Sequence, residues 1–233
     1  MATDTVRYDL RDGVAVVTLD DGKVNALSPA VLAALHECFD RAEREAKAVL
    51  LTGRDRRLSG GFDLQYMMKS PDAARELVGA GAHLLLRMYM FPRPVVVACT
   101  GHAIAAGAIL LLVADLRIGA TGDFKIGLNE VAIQMTLPLF AMELARARLS
   151  KRHFTTAATQ AKLFDPPAAV DAGFLDVTAA PDVLFRVAFD EARRLSALPD
   201  PAFRNTKERE RAAIFAHIRE TLDADLRQLT GTA

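Results

Sequence analysis

Apolar and polar positions alternate along this chain on two different scales. Val14 to Leu19, Val49 to Thr52, Val95 to Cys99 and Leu116 to Ala120 are short β-branched or apolar runs without a period of two. Such runs predict strands buried on both faces, as in a mainly parallel sheet. Helical spacing fills the intervals. Ser28-Pro29 supplies a capping residue followed by proline at the first helical position. Beyond it Val31, Leu32, Leu35 and Phe39 share one face, while Glu37, Arg41 and Arg44 fall mostly on the other. A second helix is predicted over Asp72 to Met90, ended by Pro92 and Pro94. Ala106 to Ala114 is uncharged and predicts a buried helix. Residues 54–64 read as a loop around Gly60-Gly61, and Gly101-His102 reads as a tight turn.

Strand signals thin out after about residue 138. Leu139–Ala147, Arg152–Ala158, Pro166–Ala172, Pro181–Leu195 and Ala202–Leu229 are predicted helices. The fold class is therefore α/β. Residues 1–180 form the core, and 181–233 form a helical extension expected to serve oligomerisation. Its last part, Thr206 to Leu229, carries Ala212, Ile214, Phe215, Ile218, Leu222 and Leu226 among charges. That amphipathic face can close over its own core or pack on a neighbouring subunit. No internal repeat or low-complexity linker interrupts the pattern.

Composition narrows the partners. The 233 residues are 51% hydrophobic and 25% charged, as in a well-cored globular protein. The 29 basic and 29 acidic residues cancel, so no charge argument supports nucleic acid or an anionic membrane as partner. Cys38 and Cys99 lack metal-ligand spacing and read as small buried hydrophobes. The start, MATDTVRYDL, has no apolar signal core, and the run Ala103 to Ala114 is shorter than the ~20 residues a bilayer requires. A cytoplasmic protein without a bound metal is expected.

Four segments are candidates for chemistry: Lys23-Val24-Asn25-Ala26-Leu27-Ser28, Leu58-Ser59-Gly60-Gly61-Phe62-Asp63-Leu64, Pro94 to Asp115, and Ile126-Gly127-Leu128-Asn129-Glu130. Three follow predicted strands and can converge at one end of the sheet, where ligands bind in α/β folds. Small residues between strand and helix let a ligand approach the backbone, and a helix start offers free N–H groups. Each segment also has a purely structural reading. Asn25 and Asp63 can cap turns, Glu130 can be a surface or helix-start charge, and His102 can be a turn residue. His36, His83, His153 and His217 fall on predicted helices with no evident Ser or Cys partner. Neither a dinucleotide fingerprint nor a Gly-Lys-Ser/Thr loop is present.

In order and spacing, the four segments together resemble the enoyl-CoA hydratase/isomerase (crotonase) superfamily over nearly the whole chain. The resemblance rests on the Asn-Ala-Leu loop, the Ser-Gly-Gly-x-Asp-Leu loop and the Gly-His-Ala-Ile…Gly…Ala-Asp-Leu-Arg-Ile segment. It implies a crotonase-like ββα-repeat core that takes a coenzyme A thioester as substrate, with no permanently bound cofactor. The thioester oxygen would lie between the N–H groups of Phe62 and Ala106. Lys23, Val24, Ala26, Ser59, Gly61, Asp63 and Leu64 would hold the coenzyme A portion, and a homotrimer or hexamer is implied. Of the two glutamates of family hydratases, the first position here is Ile109 and the second is Glu130. The string around Glu130 and the Leu163-Phe164-Asp165-Pro166-Pro167-Ala168 segment resemble monofunctional Δ3,Δ2-enoyl-CoA isomerases. Enoyl-CoA hydratase, or another crotonase-type lyase or hydrolase, is the alternative. Two departures stand out: Ala105 and Ala106 replace glycines of many relatives, and Phe62 is bulkier than the usual residue. Lys207 is open to two readings, a contact to the nucleotide phosphates or a solvated charge in the Lys-Glu-Arg-Glu-Arg run.

Overall fold

The computed structural model of the chain describes residues 5–228. Strands β1 (Val6–Arg11) and β2 (Val14–Leu19) form an antiparallel hairpin, and the short β3 (Ala26–Leu27) leads into α1 (Pro29–Glu45). Ser28 Oγ accepts the Val31 N–H at 3.3 Å, with Pro29 at the start of the helix, so the predicted cap forms. Next come β4 (Ala48–Thr52), β5 (Arg56–Ser59), β6 (Gly61–Phe62), α2 (Leu64–Met67) and α3 (Pro71–Tyr89). They are followed by β7 (Val95–Cys99), β8 (Gly101–Ile104), α4 (Ala106–Leu112), β9 (Leu116–Ala120) and β10 (Ile126–Gly127). A 3-10 turn at Val131–Ile133 precedes α5 (Leu139–Arg148), α6 (Lys151–Ala158), α7 (Pro166–Ala172), β11 (Val177–Ala179), α8 (Pro181–Ser196) and α9 (Asp200–Gln228). The predicted last residue of the final helix, Leu229, lies outside the described residues.

The main sheet has the order β1-β2-β4-β7-β9-β11 and is parallel beyond the β1–β2 hairpin. Beside it runs a second parallel sheet, β5-β8-β10. The central strands β4, β7 and β9 are each followed by one strand of the second sheet, and both sheets keep the same order. This is the ββα repeat that the resemblance implied. The missing period of two has a direct cause: Val14, Val16, Leu50 and Val96 face α8, while Ala15, Val17, Leu51 and Val97 face α1, α3 and α4. Both faces are buried, so both must be apolar.

Residues 181–228 supply two different layers. Helix α8 covers one face of the main sheet through Leu184, Ala188 and Ala192. Helix α9 packs Ile218, Leu222 and Leu226 into the other cluster, along with residues of α3 and α5.

Several local expectations are corrected. Gly101-His102 is not a turn but the start of strand β8, whose Gly101 pairs with Arg56. A Cβ at Gly101 would stand closer than 3.0 Å to the Arg56 carbonyl, so this glycine serves the approach of two strands. The stretch 54–64 holds β5 and β6 rather than a continuous loop. Strand β11 adds an edge to the main sheet well past residue 138.

Candidate functional site

The first two candidate segments are stitched together at the end of β2. Asn25, buried at φ +53°, donates through Nδ2 to the carbonyls of Leu19 at 2.9 Å and Leu58 at 3.0 Å. Its Oδ1 accepts the Asp21 N–H at 2.9 Å. All of these partners are backbone groups, so Asn25 holds the loop in shape. Ser59 Oγ donates to the Asn25 carbonyl at 2.7 Å and accepts the Gly61 N–H at 3.1 Å. The Gly60 N–H reaches the Val24 carbonyl at 2.8 Å, and Ala26 and Leu27 pair with Gly61 and Phe62. Lys23 to Ala26 and Ser59 to Leu64 thus form one surface. Val24 and Leu64 present exposed apolar side chains on it.

Two backbone N–H groups border that surface, those of Phe62 and Ala106. The Asp63 N–H bonds to the Leu27 carbonyl at 3.3 Å. In a parallel ladder this makes Leu27 the bridging residue and turns the Phe62 N–H away from β3. Gly61, at φ +95°, packs tightly on the start of α4: a Cβ there would lie 3.0 Å from the Ile104 carbonyl oxygen and 3.3 Å from the Ala106 nitrogen. Ala106 opens α4, so its N–H belongs to the first turn, which has no intrahelical acceptor. Ala105 before it offers no side-chain cap and stands at φ +52°, ψ −126°, a conformation alanine adopts only under strain. Strain of this kind collects at functional sites.

Glu130 reaches the same region through β10. The Ala105 N–H bonds to the Gly127 carbonyl at 3.0 Å, and Gly127 pairs with Ile104. Three residues on, Glu130 is only 8% exposed, which overturns its reading as a surface charge. Its Oε2 is buried without a hydrogen-bond partner, as is Oδ1 of the adjacent Asn129. Burial pushes the Glu130 carboxyl up to about 7, opposed only in part by hydrogen bonds from the backbone of Glu130 and Asn129. A carboxyl balanced near neutrality can both accept and return a proton. Ile109 is buried within α4 and brings no second carboxylate.

Other expected residues take structural places. Oδ1 of Asp63 accepts the N–H groups of Gln65 and Tyr66 at 3.0 and 3.2 Å, capping α2. His102 accepts the Lys125 N–H through Nδ1 at 3.0 Å. Both readings of Lys207 fail. Its ammonium is buried and pairs with Asp115 at 2.7 Å, where burial lowers its pKa to about 8. His153 does have a serine partner, Ser150 Oγ at 2.9 Å, in a contact local to the start of α6. Cys38 and Cys99 are buried free thiols. Among the described residues, no group of His, Cys, Asp or Glu is arranged to hold a metal, and no helix is long and apolar enough to cross a membrane. Sequence reasoning passed over Asn129, whose only local signal was its place beside Glu130.

Comparison with known proteins gives a consistent picture. Residues 9–233 match the family described as Enoyl-CoA hydratase/isomerase. A "Probable enoyl-CoA hydratase" of Rhodobacter capsulatus is 38% identical over 130 residues, covering 52% of this chain and 48% of that protein. The chain spans about half the length, 48 to 55%, of the first curated relatives it matches. Human "Enoyl-CoA delta isomerase 1, mitochondrial" is 29% identical over 226 residues, covering 95% of this chain and 75% of its own. The crystal structure of an enoyl-CoA hydratase/isomerase family protein from Pseudomonas syringae superposes with a TM-score of 0.92 at 44% identity, covering 99% of this chain and 98% of that one.

Proposed function

Since the chain belongs to the enoyl-CoA hydratase/isomerase family, we propose that it shifts the double bond of a 3-enoyl-CoA to the 2-position, with Glu130 as the sole acid and base. The family handles coenzyme A thioesters, and the site offers two things to one. In this reading the N–H groups of Phe62 and Ala106 receive the thioester oxygen, and the buried Glu130 carboxyl, whose Oε2 has no partner, serves the acyl chain. Glu130 takes a proton from the α carbon; the electron pair spreads through the C3–C4 double bond and the carbonyl as a dienolate. The same carboxyl then delivers the proton to the γ carbon, leaving a 2,3 double bond. No atom is gained or lost. Charge grows on the oxygen as the proton leaves, so each preorganised donor supplies ~3 kcal/mol, roughly 100-fold in rate.

The buried, unpartnered Oε2 of Glu130 carries this reading. A single carboxyl near neutrality suits transfer between two carbons of one substrate, whereas water addition needs a further group to hold the water. Ile109 cannot be that group. The name of the Rhodobacter relative favours a second reading, enoyl-CoA hydratase or another crotonase-type lyase or hydrolase.

Lys23, Val24, Ala26, Ser59, Gly61, Asp63 and Leu64 line the coenzyme A path in this proposal. Asp63 takes part through its backbone, because its carboxylate is committed to the α2 cap. No bound cofactor is needed. The proposed setting is the cytoplasm, and the assembly a trimer or a pair of trimers; sedimentation equilibrium then gives three or six times the chain mass. The reaction is tested by following 2-enoyl-CoA absorbance from a series of 3-enoyl-CoAs. Glu130→Gln is expected to lose about 10³-fold in kcat. Unchanged turnover in that variant would sink the reading, and rapid hydration of 2-enoyl-CoA by the wild type would move it to the hydratase.

A further inference from the structure

Gly81 sits in the interior of α3, where glycine is less favourable than alanine because it leaves the unfolded chain more freedom. A local cause accounts for it. A Cβ built at Gly81 would lie closer than 3.0 Å to both Cε1 and Cζ of Phe62, closer than carbon atoms pack. The Phe62 ring, half-buried against the main hydrophobic cluster, therefore occupies a notch in α3 that only glycine leaves open. Gly79, two residues earlier, meets only the flexible tip of Leu226, at 3.2 Å.

Phe62 carries one of the two proposed oxyanion donors on its own backbone. Strand β6 is only two residues long and pairs with an equally short β3. The Asp63 bond beside it is long, at 3.3 Å, and Gly61 stands at φ +95°. The Phe62 ring seated against Gly81 therefore adds a side-chain anchor to a strand whose own ladder is short. We infer that Gly81 is a positioning residue: by seating the Phe62 ring it aims the Phe62 N–H at the thioester oxygen. The inference rests on the reading of Phe62 as a donor. It also explains how this chain accommodates a bulky side chain at that position.

The decisive variant is Gly81→Ala. Alanine favours the helix, so folding is kept, while the displaced ring carries β6 with it. A displacement of about 1 Å is enough to cost ~100-fold in rate. The expected result is a 30- to 100-fold loss of kcat, about that of losing one donor, with acyl-CoA affinity changed by less than about threefold. Gly79→Ala is the control and leaves both unchanged. In a Phe62→Ala background the notch is empty, and adding Gly81→Ala is expected to change kcat less than about threefold.

A second measurement needs no turnover: the carbonyl stretch of ¹³C-labelled butyryl-CoA, which falls in frequency when two N–H donors hold the oxygen. Gly81→Ala is expected to lose part of that fall. If wild type shows the fall yet converts no 3-enoyl-CoA, the assigned reaction fails, and the spectrum of Gly81→Ala still decides on the notch. Equal costs of Gly81→Ala in both Phe62 backgrounds, or a wild-type carbonyl frequency in the variant, would overturn the inference. So would the absence of any fall in wild type. Should Gly81→Ala not fold, the double variant decides: folding restored by removing the ring supports the notch, and failure of both overturns it.

Discussion

Asp115 and Glu130 are two carboxyl groups withdrawn from water in one interior, and they are treated in opposite ways. Both oxygens of Asp115 are engaged. Oδ2 accepts the Lys207 ammonium and the Val95 N–H, each at 2.7 Å, and Oδ1 accepts the Arg211 guanidinium at 2.7 Å. Among the described residues Glu130 has no paired cation, and its Oε2 has no hydrogen-bond partner. At Glu130 burial is offset only in part, by backbone hydrogen bonds. Pairing turns a buried carboxylate into a fastening. Leaving it unpaired turns it into a proton carrier.

The contrast breaks most visibly at Asp115. Asp115→Asn leaves two buried cations without their anion and is expected to cost about 3–5 kcal/mol in urea unfolding. If it costs less than about 1 kcal/mol, the fastening role is wrong. Glu130→Gln is expected to act in the other direction. The folded-state pKa of about 7 lies above the ordinary carboxyl value of 4.5, so the folded protein holds the proton more tightly than the unfolded chain. Stability then falls as pH rises from 4.5 to about 7 and stays low above that. The variant escapes this loss and gains on the order of 3 kcal/mol over wild type at pH 8, a difference that closes below the lower value. Parallel unfolding curves at the two pH extremes check the sign.

A third measurement sharpens the comparison on the kinetic side. The base must be ionised in the free enzyme, so kcat/KM is expected to fall tenfold per pH unit below about 7 and level off above it. A flat profile between pH 5 and 8 would remove Glu130 from the role. The smallest effect is at Ala105. Glycine there relieves a strain of about 1–3 kcal/mol but gives the unfolded chain about 0.4–1 kcal/mol of freedom, for a net gain near 1 kcal/mol in thermal unfolding.

Long-range contacts mark where sequence reading stopped. The cap at Ser28-Pro29, the doubly apolar strands and the uncharged α4 were legible because their signals lie within one element. Gly101 misled, since a glycine made for a turn looks the same as one made for the approach of Arg56, 45 positions earlier. Strands β3, β6 and β10 are two residues each, too short for any period, and only their partners define them. Lys207 stood in a charged run with nothing nearby to announce Asp115, 92 residues away. Glu130 stood out as a lone glutamate among apolar residues, but its role came from the resemblance. That its Oε2 is unpartnered depends on what does not approach it, and no local pattern encodes that.

The Asp115 fastening also sets an order on the making of the protein. During synthesis the strands and α4 are complete long before Lys207 and Arg211 have been added. Until then Asp115 has no cation to offset its burial, and the apolar faces of α3 and α5 that receive α9 stay open. The last helix therefore arrives as a bolt. The interior closes only when residues 207–226 dock on α3 and α5 and bring Lys207 and Arg211 to Asp115.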